Sequence, residues 1–388
     1  MGASRVLIAL IIGQLGLHAA MAGLRMATPL QALRLGASEW TVGLLLALFA
    51  AAPVLFALRS GRLADRWGYH RPVRLAAALA VLGMGFGVAS VWLPGWWTFA
   101  ALCIAASLTG CAANLGMLTI QRTAGLAARD ATERMRIFSW LGIAPSFSNV
   151  VGPVAAGLMI DGTGFAGAYL LLMALPLATL ASARFVPVLP PPGVAPREEQ
   201  TAWELLKLPG MKRLLLVNWL FSMCWDVHAF AVPVLGHERG FTASTIGFIL
   251  GTFTLSVTVV RLLVPVLAHR IQVVKVLRGA MLGSAAVFAL YPLATTPWLM
   301  GGCAVLLGLA LGVSQPLIMT TLHHLTPEGR HGQSLAFRSM AINTSSTLMP
   351  LMFGLLGSAV GAAALFWTVG LAVGTGSWLA RRLVTSRG

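Results

Sequence analysis

Apolar residues run along this chain in long uninterrupted stretches rather than in alternation. VLIALIIGQLGLHAAMAGL, after Arg5, and LAAALAVLGMGFGVASVWL, after Arg74, contain no formal charge. A run of about 18 or more apolar residues is long enough to cross the hydrocarbon core of a bilayer as a helix. Barrel strands would instead alternate in segments of about ten residues. The pattern predicts helical spans at 5–31, 39–59, 73–93, 97–127, 135–160, 165–186, 212–235, 241–268, 274–292, 297–325, 332–357 and 362–382. The first run is too long for a cleavable signal peptide, and further spans follow it at once.

One long polar break interrupts the series. PVLPPPGVAPREEQTAWELLKLPG, residues 187–210, is rich in proline and charge, and its prolines block helix continuation. It predicts six spans in residues 1–186, a linker over 187–211, and six spans in 212–388. The fold class expected is an all-α membrane protein of two pseudo-symmetric six-helix bundles.

Composition supports this reading. The chain of 388 residues is 57% hydrophobic and 10% charged, against about 25% charged in soluble domains. The net charge of +16 would suit a nucleic-acid partner, but its placement argues for topology. Basic residues gather at 59–74, 129–136, 207–213, 270–278 and 381–387, and the alternate breaks near 94–97, 163–167, 292–298 and 358–362 lack Lys and Arg. Positive charge concentrates on the cytoplasmic side of membrane proteins. Both termini are therefore expected in the cytoplasm, the protein in the inner membrane, and its partner in the lipid bilayer rather than nucleic acid. Nothing in the pattern calls for an oligomer, and a monomer is expected. Cys103, Cys111, Cys224 and Cys303 lie in apolar runs without a CxxC pair and read as small core residues; no metal and no cofactor is expected.

The halves repeat each other. GRLADRWGYHRPVR, 61–74, aligns with PVLAHRIQVVKVLR, 265–278, and GPVAAG, 152–157, aligns with MPLMFG, 349–354. Internal repeats are frequent in secondary transporters.

GRLADRWGYHRPVRL resembles the cytoplasmic loop signature of the major facilitator superfamily, G-x-L-a-D-r-x-G-r-k-x-x-x-l. Gly61, Leu63, Asp65, Arg66, Gly68 and Leu75 match; Tyr69 and His70 depart from the usual basic pair, with Arg71 one place later. Glycines at 61 and 68 permit a tight reversal. The resemblance implies that Asp65 braces the two halves against the start of span eleven, near 332–338, when the carrier opens outward. Asp130 or Glu133 would hold Arg66 or Arg71. Ser148, Gly152, Pro153 and Gly157 resemble the span-five element of the superfamily's drug antiporters, with Ala156 in place of a glycine.

Ionisable groups inside a span are costly and need a partner, water or a purpose. Here they are His18 and Arg25 in span one, Arg122 in span four, Asp226 and His228 in span seven, Arg261 in span eight and Arg338 in span eleven, joined by the amides Asn114 and Gln315. The resemblance implies that spans one and seven line a central cavity. Arg25 and Asp226 can then face each other, either as a proton-coupling pair or as a static lock. The surplus of arginines fits an anionic or zwitterionic solute, unless they only snorkel to the surface. Trp140, Trp219, Trp225 and Phe221 are candidate cavity walls. There is no G-x-x-x-x-G-K-[ST] nucleotide loop. His323, His324 and His331 do not make a catalytic cluster, so no enzyme is expected. The expectation is a secondary transporter of a small molecule, with proton-coupled efflux as the first reading. Proton-coupled uptake of an anionic solute, such as a phosphorylated metabolite or siderophore, is the alternative.

Overall fold

In lipid every backbone N–H and C=O must be satisfied within the protein, which makes long helices the natural form for such runs. A computed structural model describes residues 3–127, 137, 140–188, 202–267, 272–327, 331–381 and 383. Among the described residues the regular structure is helical, with no strand. The chain runs through α1 (Ala3–Arg34), α2 (Glu39–Trp67), α3 (His70–Ser90), α4 (Trp96–Ala127) and α5 (Ile143–Ala183). It continues through α6 (Met211–Glu238), α7 (Ala243–Leu267), α8 (Val273–Leu290), α9 (Pro297–Gly312), α10 (Ser314–Leu325), α11 (His331–Val360) and α12 (Ala362–Arg381).

Ten of these stretches are long and apolar enough to cross a membrane, α9 and α10 together making one. The α5 helix is 41 residues long, about 60 Å at 1.5 Å per residue, or two crossings of a core about 30 Å thick. It departs from helical geometry at Gly164, with φ 78°, which divides it into two arms. Residues 143–160 of the expected fifth span, 135–160, and most of the expected sixth, 165–186, fall on these arms. The expected tenth span, 297–325, is α9 and α10 together, joined at Val313, whose backbone stays in the helical region. Trp40, Trp92, Trp96, Trp97, Trp298 and Trp367 are all exposed, as expected of amphipathic rings at membrane interfaces.

The structure corrects one detail of the loop after span two. The α2 helix does not stop near 59; it runs to Trp67 with Gly61 inside it. The reversal therefore rests on Gly68 alone, whose φ of 67° suits a residue without a Cβ. Tyr69, which replaces a basic residue of the family pattern, is buried, and that burial pushes its phenol pKa upward. In the polar break, Ala202–Lys207 forms a short 3-10 helix. Its Leu205 is buried, and Trp203 packs edge-on against Phe337 of α11 at 5.4 Å between ring centroids.

Helices before the break meet those after it along two seams, and the seams are equivalent. In one, α5 lies on α7: Gly247 packs against the Pro153 carbonyl, and Gly157 against Ala243 and Ser244. In the other, α11 lies on α2: Gly43 packs against the Pro350 carbonyl, and Gly354 against Glu39 and Trp40. A Cβ on Gly157 would stand 2.5 Å from the Ala243 carbonyl oxygen, so only glycine lets the backbones approach this closely. Pro153 and Gly157 correspond to Pro350 and Gly354 in the aligned repeat, which gives the sequence repeat a structural meaning. Both seams lie at the end where α2 and α7 begin, away from the loop at 59–74.

Candidate transport cavity

Between the two groups of helices lies a cavity of about 530 Å³, within the range of about 300–1,000 Å³ usual for small-molecule sites. Its wall draws on α1, α2, α4 and α5 from one side and on α6, α7, α9, α10 and α11 from the other. Ser314 and Gln315, just past the α9–α10 junction, also line the cavity. At the end with the seams the cavity is shut. Among the described residues α4 makes at most slight contact with α10 and α11.

Near the shut end, the Arg25 guanidinium of α1 stands 3.7 Å from Asp226 of α6. Asp226 is buried, with a side-chain exposure of 3% against 24% for Arg25. Two α11 hydroxyls also hold it: Ser345 Oγ donates to Oδ2 at 2.7 Å and Ser346 Oγ to Oδ1 at 3.1 Å. A buried carboxylate needs this degree of compensation. The expected facing of Arg25 and Asp226 is therefore present, and it spans the two groups of helices.

Of the other expected site residues, His18, Asn114, Arg261 and Gln315 line the cavity together with Arg25 and Asp226. His228 does not. Its Nε2 lies 3.0 Å from the Tyr291 hydroxyl, its ring stacks on Phe253 at 4.1 Å, and it borders a smaller pocket beside the main one. Arg122 and Arg338 are half-buried and lie outside the wall. Trp225 and Phe221 supply apolar wall; Trp140 is exposed and Trp219 packs into the core.

The expected gating residues are spread more widely. Arg66 is exposed, and Arg71 stacks over Trp67 at 4.2 Å. Gly152 packs α5 onto α1, where a Cβ would stand 2.5 Å from the Ala19 carbonyl oxygen, and Pro153 belongs to the α5–α7 seam. The side chain of Asp65 and the whole of Asp130 lie outside the described residues.

Sequence reasoning missed Ser345, Ser346, Asn149 and Asn218 in or beside the cavity. It also missed Asp161. That carboxylate accepts hydrogen bonds from the backbone N–H of Ala243 at 3.0 Å and of Ser244 at 2.7 Å. It caps the N-terminus of α7, where unpaired donors and the helix dipole favour an anion. Arg34 joins it at 3.8 Å and lies over the Phe165 ring at 5.4 Å. The cluster is a clasp on the α5–α7 seam.

A two-sided helical bundle around a polar cavity shut at one end defines a membrane carrier. The family model for the Major Facilitator Superfamily matches residues 10–215 and again 214–387, and the chain belongs to that superfamily. The Enterobactin exporter EntS of Escherichia coli O1:K1 / APEC is 27% identical over 331 residues, covering 80% of this chain and 75% of that protein. Among solved structures, a POT family transporter in complex with 5-aminolevulinic acid superposes with a TM-score of 0.77 at 13% identity, over 96% of this chain and 95% of the other. A bacterial homologue of the iron transporter ferroportin in its inward-facing state gives 0.72 at 17% identity, over all of both chains. At these identities the structures share the fold.

Proposed function

We propose that this transporter exports a small organic solute across the inner membrane by alternating access, coupled to inward proton movement, with both termini in the cytoplasm. Residues 1–186 and 212–388 are the two moving bodies and 187–211 the tether between them. With the basic loops in the cytoplasm, the seams form the outer gate and the structure is inward-facing. The observation that carries the reading is the cavity itself, lined by both groups of helices and shut by the α2–α11 and α5–α7 seams at one end. Export is supported by the exporter likeness and by the small-residue element from Ser148 to Gly157.

Asp226 is the proton carrier in this scheme. Ionised, it is held by Arg25 from the opposite body. Protonated, it loses that Coulombic tie, worth about 4 kcal/mol at 4 Å and an effective dielectric of 20 before desolvation, while hydrogen bonding with Ser345 and Ser346 can persist. Proton binding thus weakens a contact between the two bodies that the ionised form maintains.

The test needs no known solute. In a chain whose four cysteines are replaced, Gln315→Cys is labelled by a membrane-impermeant maleimide from either face of oriented vesicles. The ratio of inner to outer labelling should change with pH, and Asp226→Asn should remove the change. A pH response that survives Asp226→Asn would end the proton-carrier role.

A further inference from the structure

Four side chains line both the main cavity and the smaller pocket beside it: Arg25, Asn149, Trp225 and Thr254. They come one each from α1, α5, α6 and α7, two helices from either side of the polar break. On three of these helices the smaller pocket continues the wall toward the seams. Pro153 lies four residues past Asn149, Ala229 four past Trp225, and Leu250 four before Thr254, and four residues are about 6 Å along a helix. The smaller pocket therefore lies on the seam side of a shared ring. Its far wall includes Pro153, whose carbonyl packs against Gly247 in the α5–α7 seam.

The ring is braced. Trp225 stands edge-on to Phe253 at 4.7 Å between ring centroids, and Arg25 is tied to Asp226 at 3.7 Å. Beyond it, His228 is held between Phe253 and the Tyr291 hydroxyl. The pocket measures about 60 Å³, enough for about four waters at about 10–15 Å³ each. Arg25, Asn149, His228 and Thr254 put polar groups on its wall, and a buried water needs such partners. A helix bundle gains stability by filling a space of this kind. Left open and polar directly under a shut seam, it continues the passage.

We infer that Arg25, Asn149, Trp225 and Thr254 form a constriction in the transport route, and that the pocket beyond it is a water-holding outer compartment from which the solute leaves along the α5–α7 seam. This rests on the transporter reading above and adds a one-sided route to it. The solute crosses the ring between α1, α5, α6 and α7, meets His228 in the compartment, and does not exit along the α2–α11 seam.

The test compares two reporters in the full chain with its four cysteines replaced, in oriented vesicles. Gln315→Cys lies in the main cavity alone, and Ala229→Cys in the compartment alone. Two membrane-impermeant anionic thiol reagents are used, the small 2-sulfonatoethyl methanethiosulfonate and a bulky stilbenedisulfonate maleimide. From the inside, the bulky reagent should label Ala229→Cys at least tenfold more slowly than Gln315→Cys, and the small one should show a lesser deficit. Trp225→Ala should raise bulky labelling of Ala229→Cys severalfold, and Trp225→Phe, which keeps a ring there, should not. Asn149→Ala widens the same constriction from α5, should Trp225→Ala fold poorly. From the outside, Gly157→Val should expose Ala229→Cys severalfold. Gly43→Val, which drives a side chain against the Pro350 carbonyl of the sister seam, should not. Equal inside rates at the two reporters would overturn the constriction, as would a bulky rate at Ala229→Cys that ignores both Trp225→Ala and Asn149→Ala. Failure of Gly157→Val to expose Ala229→Cys, or equal exposure by the two glycine variants, would overturn the one-sided route. The transporter reading stands on the pH response of Gln315→Cys. A protein that keeps this response but shows no barrier between the reporters refutes the constriction alone, and one that shows the barrier without the response refutes proton-coupled alternation alone.

Discussion

At the residue scale the unequal burial of Arg25 and Asp226 decides how the pair responds to mutation. Asp226 is almost fully enclosed, while Arg25 keeps about a quarter of its side chain exposed toward the cavity. Removing the arginine strands a buried carboxylate on two hydroxyls, and breaking a buried pair this way costs about 3–5 kcal/mol. An asparagine in place of the acid can still bond Ser345 and Ser346, and it leaves the partly exposed Arg25 with its Nε and Nη2 buried. Arg25→Gln should therefore lower the thermal midpoint clearly more than Asp226→Asn, measured on the purified protein by differential scanning fluorimetry. Equal losses would contradict the assigned burial. The reversed pair, Arg25→Asp with Asp226→Arg, should recover part of the stability lost in either single reversal. Both partners were legible in the sequence because so few charges interrupt the apolar runs. Ser345 and Ser346 were not, because serine and threonine hydroxyls in these helices usually bond their own backbone, as Thr254 does to Leu250. Only the helix register shows that this serine pair points at a carboxylate.

At the scale of elements, the two seams follow from small residues at matched places in a repeated sequence. The repeat of 152–157 at 349–354 was visible before the structure. Its partners, Gly43 on α2 and Gly247 on α7, were not, because a lone glycine in an apolar run has no pattern to mark it. The clasp at Asp161 was equally hidden, since its partners are main-chain N–H groups, and no side chain at 243 or 244 announces them. The α5–α7 seam makes a sharp prediction. Gly157→Val drives a side chain into the α7 backbone, whereas Gly162→Val, five residues along the same helix, enters open space. The first should open the outer end and raise outer labelling of Gln315→Cys severalfold, and the second should leave the ratio unchanged. Similar behaviour of the two would show that the seam is not set by backbone approach. Asp161→Asn keeps the shape but removes the charge that complements the start of α7, an effect of about 0.3–1 kcal/mol near a helix end. It should shift the same labelling ratio outward by a factor of about two to five.

At the scale of the whole molecule, the all-helical membrane scaffold was the most legible level, because it follows from the length and continuity of the apolar runs. The interior was the least legible, because a cavity is defined by side chains distant in sequence. His18 on α1, Asn114 on α4 and Gln315 on α10 come together only once the helices are packed. Alternation can be tested by locking one state. With the native cysteines replaced, Asp161→Cys and Ser244→Cys placed together should crosslink under oxidant, since the native carboxylate already reaches the Ser244 backbone. The crosslink should hold the outer end shut and abolish outer labelling of Gln315→Cys until reductant is added. Labelling that persists through a complete crosslink would mean that the α5–α7 seam is not the gate.

The clasp has a further consequence in genetics. An ion pair between side chains can be repaired by a change in either partner, so Arg25 and Asp226 can compensate for each other. Asp161 binds the main-chain N–H groups of Ala243 and Ser244, and a substitution at Ala243 or Ser244 cannot restore those two bonds once it is lost. Second-site suppressors of a damaging change at Asp161 should therefore fall elsewhere: at Arg34 or Phe165, which support it, or in the sister seam, where Glu39 packs against Gly357. The two seams, built on different helix pairs, would then be able to exchange load through inheritance.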